Sequence, residues 1–189
     1  MPRPTVLLVP GSLRAGSFTG RLLHAAGALL PDRYDVEPTD LVRPLPYYDA
    51  DLDGPDAPAP VVTARRRVAQ AAGLVVATPE YSGTIPGGLK NTLDWLTRPP
   101  REHVLVDKPV VVLGASPNSR GAAAAVDWLR SALARIGAVV IGDVVAVPDV
   151  LDHLDADGRP DAEVVARLRH AVEALVTIVD QNEALTPWS

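Results

Sequence analysis

Two short stretches of the chain gather side chains that could do chemistry. The first is Pro10-Gly11-Ser12-Leu13-Arg14-Ala15-Gly16-Ser17-Phe18-Thr19. Ser12, Ser17 and Thr19 offer hydroxyl donors, and Arg14 offers a charged fork. A helix starting just after Ser17 would add free amides and a partial positive charge, which together make an anion site. The plainer reading of Ser17 is a helix cap. The second stretch is Pro79-Glu80-Tyr81-Ser82-Gly83-Thr84-Ile85-Pro86-Gly87-Gly88. Its glycines let backbone amides approach a ligand closely, and its prolines set the loop's shape beforehand. Tyr81 presents a ring face with a polar tip. That composition suits a flat ligand.

Other chemistry is excluded or unsupported. The chain has no cysteine, which removes disulfides, thiol nucleophiles and zinc–thiolate sites. His24, His103, His153 and His170 are scattered and show no ligand spacing, so no metal site and no catalytic acid, base or nucleophile is expected. Lys90 and Asp94 read as an i,i+4 pair on a helix. Arg65-Arg66-Arg67 reads as a solvated helix face. A net charge of −5 with pI near 5.3 argues against nucleic acid as a partner. The longest early apolar run, Thr5 to Val9, is too short for a signal-peptide core or a membrane span. A soluble cytoplasmic protein with no membrane partner is expected.

The positioning elements follow from hydrophobic pattern. Thr5–Val9, Leu74–Thr78, Pro109–Gly114 and Val139–Val147 read as strands, the last interrupted near Gly142. Tyr34–Leu41 is a weaker second strand. Helices are expected over 18–30, 61–72, 88–98, 121–136 and 161–183, with Gly137 as a cap. Residues 43–60 form a long loop rich in Pro, Asp and Ala, the kind that is functional or disordered. Five alternations of strand and helix predict a parallel sheet with helices on both faces. They are compatible with the strand order 2-1-3-4-5, whose switch point sets the loops after the first and third strands side by side. A chain of 189 residues fits a single domain over 1–189.

The motifs now add up to a resemblance. Gly11-Ser12-x-Arg14-x-x-Ser17 follows the first strand. Pro79-Glu80-Tyr81-x-x-x-Ile85-Pro86-Gly87-x-Leu89-Lys90-Asn91-x-x-Asp94-Trp95 follows the third. Together they resemble the NADPH-dependent FMN reductase family of quinone, azo-dye and chromate reductases. The stretch Leu45-Pro46-Tyr47-Tyr48-Asp49-Ala50-Asp51-Leu52 is similar to the same family. The resemblance implies an α/β fold, a flavodoxin-like three-layer sandwich. It implies FMN as cofactor, NADPH or NADH as reductant, and quinones, free flavin, azo compounds or metal oxyanions as acceptors. By position, Ser12, Arg14, Ser17 and Thr19 would hold the FMN phosphate, with Phe18 in the same cofactor-binding set. Pro79, Glu80, Tyr81, Ser82, Gly83 and Thr84 would run along the isoalloxazine edge. Ser116 and Arg120 would close the third side. Two departures stand out. The family carries Asn where this chain has Ser82, and its third loop is richer in glycine than 116–120. The resemblance also implies a homodimer or homotetramer built through the Gly88–Leu96 helix; Trp188, in a short tail, reads as docking on a neighbour or as disordered. Two other readings remain open at this stage: an FMN electron carrier that does not use NAD(P)H, and a phosphate-binding module without flavin.

Overall fold

The computed structural model describes residues 3–100 and 102–185. Trp188 therefore lies outside the described residues. Five parallel strands form one sheet: β1 (Thr5–Pro10), β2 (Asp35–Pro38), β3 (Gly73–Thr78), β4 (Pro109–Ala115) and β5 (Val139–Val147). Their order is β2-β1-β3-β4-β5. The helices are α1 (Phe18–Gly27), α2 (Ala59–Gln70), α3 (Gly87–Leu96), α4 (Ala123–Arg135) and α5 (Ala162–Leu185). The expected order and fold class are found.

Strand alternation divides the core. Val6 and Leu8 of β1, Val75 and Ala77 of β3, and Val111, Leu113 and Ala115 of β4 face α1 and α5. Leu7, Val9, Leu74, Val76, Val110 and Val112 face α2, α3 and α4. Successive strand residues point to opposite faces, so strands covered on both sides read as unbroken apolar runs. Parallel pairing then brings the carboxyl ends of β1, β3 and β4 to one edge of the sheet.

The differences from the expected boundaries have physical causes. β2 is shorter than Tyr34–Leu41 because it is an edge strand whose four residues are all exposed. Tyr34 instead turns inward, is buried, and donates its hydroxyl to Asp180 of α5 at 2.5 Å. Residues 28–30 leave the α1 helix as turns. The interruption in β5 is real. Gly142 takes φ +73°, and the pairing with β4 shifts between Val111 and Leu113. Gly137, at φ +89°, closes α4 in a Schellman turn, with the Ala138 amide donating to Leu133 O at 3.0 Å.

The long loop before α2 is held firmly. Asn91 accepts from the Tyr48 amide at 2.7 Å and donates to Pro46 O at 2.8 Å. Trp95, fully buried, donates its indole N–H to Pro46 O at 2.8 Å and meets Tyr48 edge-on at 4.9 Å. The Asn91 and Trp95 of the sequence motif thus pin the loop on one face of α3. An adjacent face of α3, about 100° around the helix, carries the Lys90–Asp94 ion pair at 2.5 Å.

Candidate functional site

β1 delivers the first loop. The Gly11 amide donates to Ala77 O at 2.7 Å, which presses the loop against the end of β3. A Cβ at position 11 would stand 2.8 Å from that same carbonyl, so only glycine allows this approach. The loop ends at Ser17, the cap of α1. Its Oγ accepts from the Gly20 amide at 2.9 Å and shares a hydrogen bond with Thr19 Oγ1 at 2.8 Å. The expected cap and a place in the cleft are therefore both found for this residue. Ser12, Ser17 and Thr19 are buried, whereas Arg14 is exposed and forms no ion pair among the described residues.

β3 delivers the second loop. Tyr81 and Thr84 exchange backbone hydrogen bonds at 2.9 and 3.1 Å across Ser82 and Gly83. Those two residues have φ +53° and +77°, so they form a tight turn of the type that needs left-handed backbone at both central positions. Asn-Gly is the preferred pair for such a turn. The Asn that the resemblance implies at position 82 would therefore have a conformational use there, which Ser82 meets less well.

β4 delivers the third loop. Ser116 Oγ accepts from the Asn118 amide at 3.3 Å, and Asn118 Oδ1 accepts from the Arg120 amide at 3.0 Å. The Asp149 amide, from the loop after β5, donates to Asn118 O at 3.0 Å. Ser116 is buried and 117–120 are exposed.

One cleft joins the three loops. Ser12, Arg14, Ser17, Phe18 and Thr19 line it from the first, Pro79, Glu80 and Tyr81 from the second, and Ala115, Ser116 and Pro117 from the third. Ser82, Gly83, Thr84 and Arg120 do not line it. The turn carries 82–84 outward, and Arg120 is tied by its amide to Asn118. Ala115 and Pro117 stand in its wall as well. Glu80 lines the cleft, and its Oε2 is buried without a hydrogen-bond donor among the described residues. An acceptor left in that state costs on the order of 1–3 kcal/mol or more, so it suits a site that a donor-bearing ligand completes.

Arg14 is not the only cation near the first loop. The Arg43 guanidinium donates to Leu13 O at 3.1 Å and pairs with Asp40 at 3.1 Å. Burial works against the Asp40 charge. The amides of Arg43 and Val42 and the Arg43 side chain outweigh it and hold the carboxyl below its usual range. Thirty residues separate Arg43 from Leu13, and no local pattern connects them.

The donors suit a phosphate at the α1 end: a free guanidinium, three buried hydroxyls and the start of a helix. The exposed face of Tyr81 suits a flat group next to it. A larger hollow, about 510 Å³ against about 100 Å³, lies elsewhere, between α3 and α4. Lys90 and Arg135 line it too, but Lys90 is paired with Asp94 and no loop from a strand end reaches it, so position at the sheet edge rather than volume selects the loop cleft.

Comparisons with known proteins follow the same lines. Residues 4–152 match the sequence profile of the NADPH-dependent FMN reductase family. A quinone reductase of Escherichia coli (strain K12) is 36% identical over 137 residues, covering 72% of each chain. An NAD(P)H-dependent FMN reductase of Pseudomonas aeruginosa is 35% identical over 155 residues, covering 82% of this chain and 83% of its own. Among solved structures, the flavoenzyme NAD(P)H:(acceptor) oxidoreductase FerB of Paracoccus denitrificans superposes with a TM-score of 0.83 at 31% identity. It covers 94% of this chain and 98% of its own.

Proposed function

The chain belongs to the NADPH-dependent FMN reductase family, an oxidoreductase with FMN as cofactor, and from that premise we propose that the three-loop cleft is its flavin site. In this reading the FMN phosphate lies at the start of α1, held by Arg14 and the hydroxyls of Ser12, Ser17 and Thr19. Phe18 packs beside it. Pro79, Glu80 and Tyr81 follow the ring edge, with Ser116 opposite. Ser82, Gly83 and Thr84 act by shaping the turn that presents Tyr81. Arg120 reaches the flavin's pyrimidine side only if the third loop rearranges. FMN held there would supply the redox chemistry, a two-electron exchange between NAD(P)H and the acceptor. The residues themselves bind, orient and shield, and no side chain acts as nucleophile or as obligatory acid.

Quinones are the proposed acceptors, since relatives of this length and identity are named for that substrate. The proposed assembly is a homodimer or homotetramer in which the α3–α4 groove meets a second copy. Leu93, Ala132 and Ile136 line that groove, with Trp128 38% exposed. The same reading takes 1–189 as one domain acting in the cytoplasm. Among the described residues no helix is long and apolar enough to cross a membrane.

The observation that carries the cleft assignment is the meeting of Arg14, unpaired among the described residues, with three buried hydroxyls and the α1 start beside Tyr81. The purified protein should be yellow, bleach on anaerobic addition of NADPH or NADH, and recover its colour with benzoquinone. A flavin that stays oxidised under excess of both nicotinamides would overturn the proposed electron path.

A further inference from the structure

The contact between Arg43 and the first loop has a use beyond holding the loop down. A trans peptide points its C=O and its N–H in opposite directions. Arg43 draws the Leu13 carbonyl outward at 3.1 Å. The Arg14 amide of the same peptide unit is thereby turned the other way, toward Ser12 Oγ, which accepts from it at 3.4 Å. That hydrogen bond is long, so the amide remains available to a better acceptor. Ser12 lines the cleft. Among the described residues no other side chain from outside the loop holds residues 12–16 by a hydrogen bond.

Arg43 is itself held. Asp40 Oδ2 takes the Arg43 Nε–H at 3.1 Å, while Asp40 Oδ1 accepts from the amides of Val42 and Arg43 at 3.0 and 2.9 Å. The carboxylate thus shapes the turn after β2 and aims the guanidinium at once.

We propose that Arg43, aimed by Asp40, is a positioning residue that locks the Leu13–Arg14 peptide with its N–H toward the flavin phosphate. This rests on the reading of the cleft as the FMN site. Arg43 touches neither the phosphate nor the ring. It acts by removing the freedom of one peptide unit, so the loop meets the phosphate with a backbone donor already oriented. The side chains of Arg43 and Asp40 are 65% and 41% exposed, so the contact is a modest one.

The test compares FMN with riboflavin, which lacks the phosphate, on the full-length protein depleted of flavin by dialysis. Wild type must prefer FMN; equal affinity for the two would overturn the site reading itself. Given that preference, Arg43→Ala should weaken FMN binding roughly five-fold, the size of one ordinary hydrogen bond. Riboflavin affinity should stay unchanged. Arg43→Lys, which keeps a donor, should recover part of the loss.

Asp40→Asn gives the decisive sign. It keeps the Oδ1 acceptor for the turn and loses the charge that holds Arg43. A lock predicts weaker FMN binding. A direct action of the Arg43 charge on phosphate predicts tighter binding, because an anion is removed and a cation freed, and that result would overturn the proposal. A loss shared equally by riboflavin would overturn it too, since it would mean general damage to the loop. An independent readout is the ¹⁵N amide resonance of Arg14 on addition of inorganic phosphate. It should shift in wild type and stay still in Arg43→Ala; equal shifts in both would sink the lock.

Discussion

Arg14 and the Ser82–Gly83 turn show how much rests on single positions. Arg14 is exposed and unpaired among the described residues, so its charge is free for a phosphate. A hydrogen bond to a charged group is worth about 1.5–3 kcal/mol, so Arg14→Ala should weaken FMN binding by about 10- to 150-fold. The hydroxyls and the helix end remain, so binding survives. Riboflavin affinity should hardly move, and fluorescence titration of both ligands checks this. At the turn, Gly83 sits at φ +77° with open space around its missing Cβ. Gly83→Ala therefore meets no clash, only left-handed backbone strain of about 1 kcal/mol. Ser82→Asn should shift stability the other way, because Asn tolerates that conformation. Opposite shifts of a few degrees in thermal midpoint are expected; shifts of the same sign would mean that the turn is not what the substitutions act on.

The elements that carry the loops have their own control points, and α5 has the clearest. Asp161 caps it, accepting from the Val164 amide at 2.9 Å through Oδ1 and from His153 Nδ1 at 2.8 Å through Oδ2. The bond to Asp161 raises the His153 pKa above its ordinary value, outweighing desolvation, which lowers it; the charges of Asp161, Glu163 and Asp152 add smaller help. Because the folded pKa is the higher one, this stabilisation is fully present below about pH 6.5 and fades as pH rises through the raised value. His153→Gln should remove that pH dependence without moving the high-pH midpoint much. Asp161→Ala should bring the ordinary loss of a helix cap. In a chain of this size that is about 2–4 °C in thermal midpoint. A midpoint unaffected by Asp161→Ala between pH 5 and 8 would remove the cap from the account. α3 works on two faces instead. Asn91 and Trp95 fasten the 41–48 loop, and an adjacent side borders the groove shared with α4.

At the scale of the molecule, that groove is the surface proposed above to meet a second copy. Its edges carry Lys90 and Asp94 on α3 and Arg135 on α4 around the apolar floor. Sedimentation at micromolar concentration should give a species at least twice the 20.0 kDa chain. Trp128→Asp should move it toward the monomer, because a charge in an apolar contact is costly unless paired. A wild-type monomer at that concentration would refute the proposed assembly. Flavin should also stabilise the whole fold: a ligand at 100 times its dissociation constant adds about 2.7 kcal/mol. FMN should therefore raise the thermal midpoint more than riboflavin does at equal concentration.

Local order could be read along the chain wherever neighbours in sequence decide it. The apolar runs at 6–9, 74–77 and 110–113 become strands covered on both faces, as such runs must be to hide their side chains. Gly137 closes α4 and Gly142 interrupts β5, because both positions need positive φ. Ser12, Arg14, Ser17, Phe18, Thr19, Pro79, Glu80, Tyr81 and Ser116 were legible as one set, since short motifs after parallel strands arrive at one sheet edge. Long-range geometry decided the rest. Whether Arg120 lines the cleft depends on Asn118 and on a loop arriving from Asp149. The length of β2 depends on its place at the sheet edge. Arg43 meets Leu13 only because β2 lies beside β1, with Leu8 opposite Pro38. Strand pairing is a contact between distant segments, and its register, not the composition of either segment, sets which side chain ends beside which peptide.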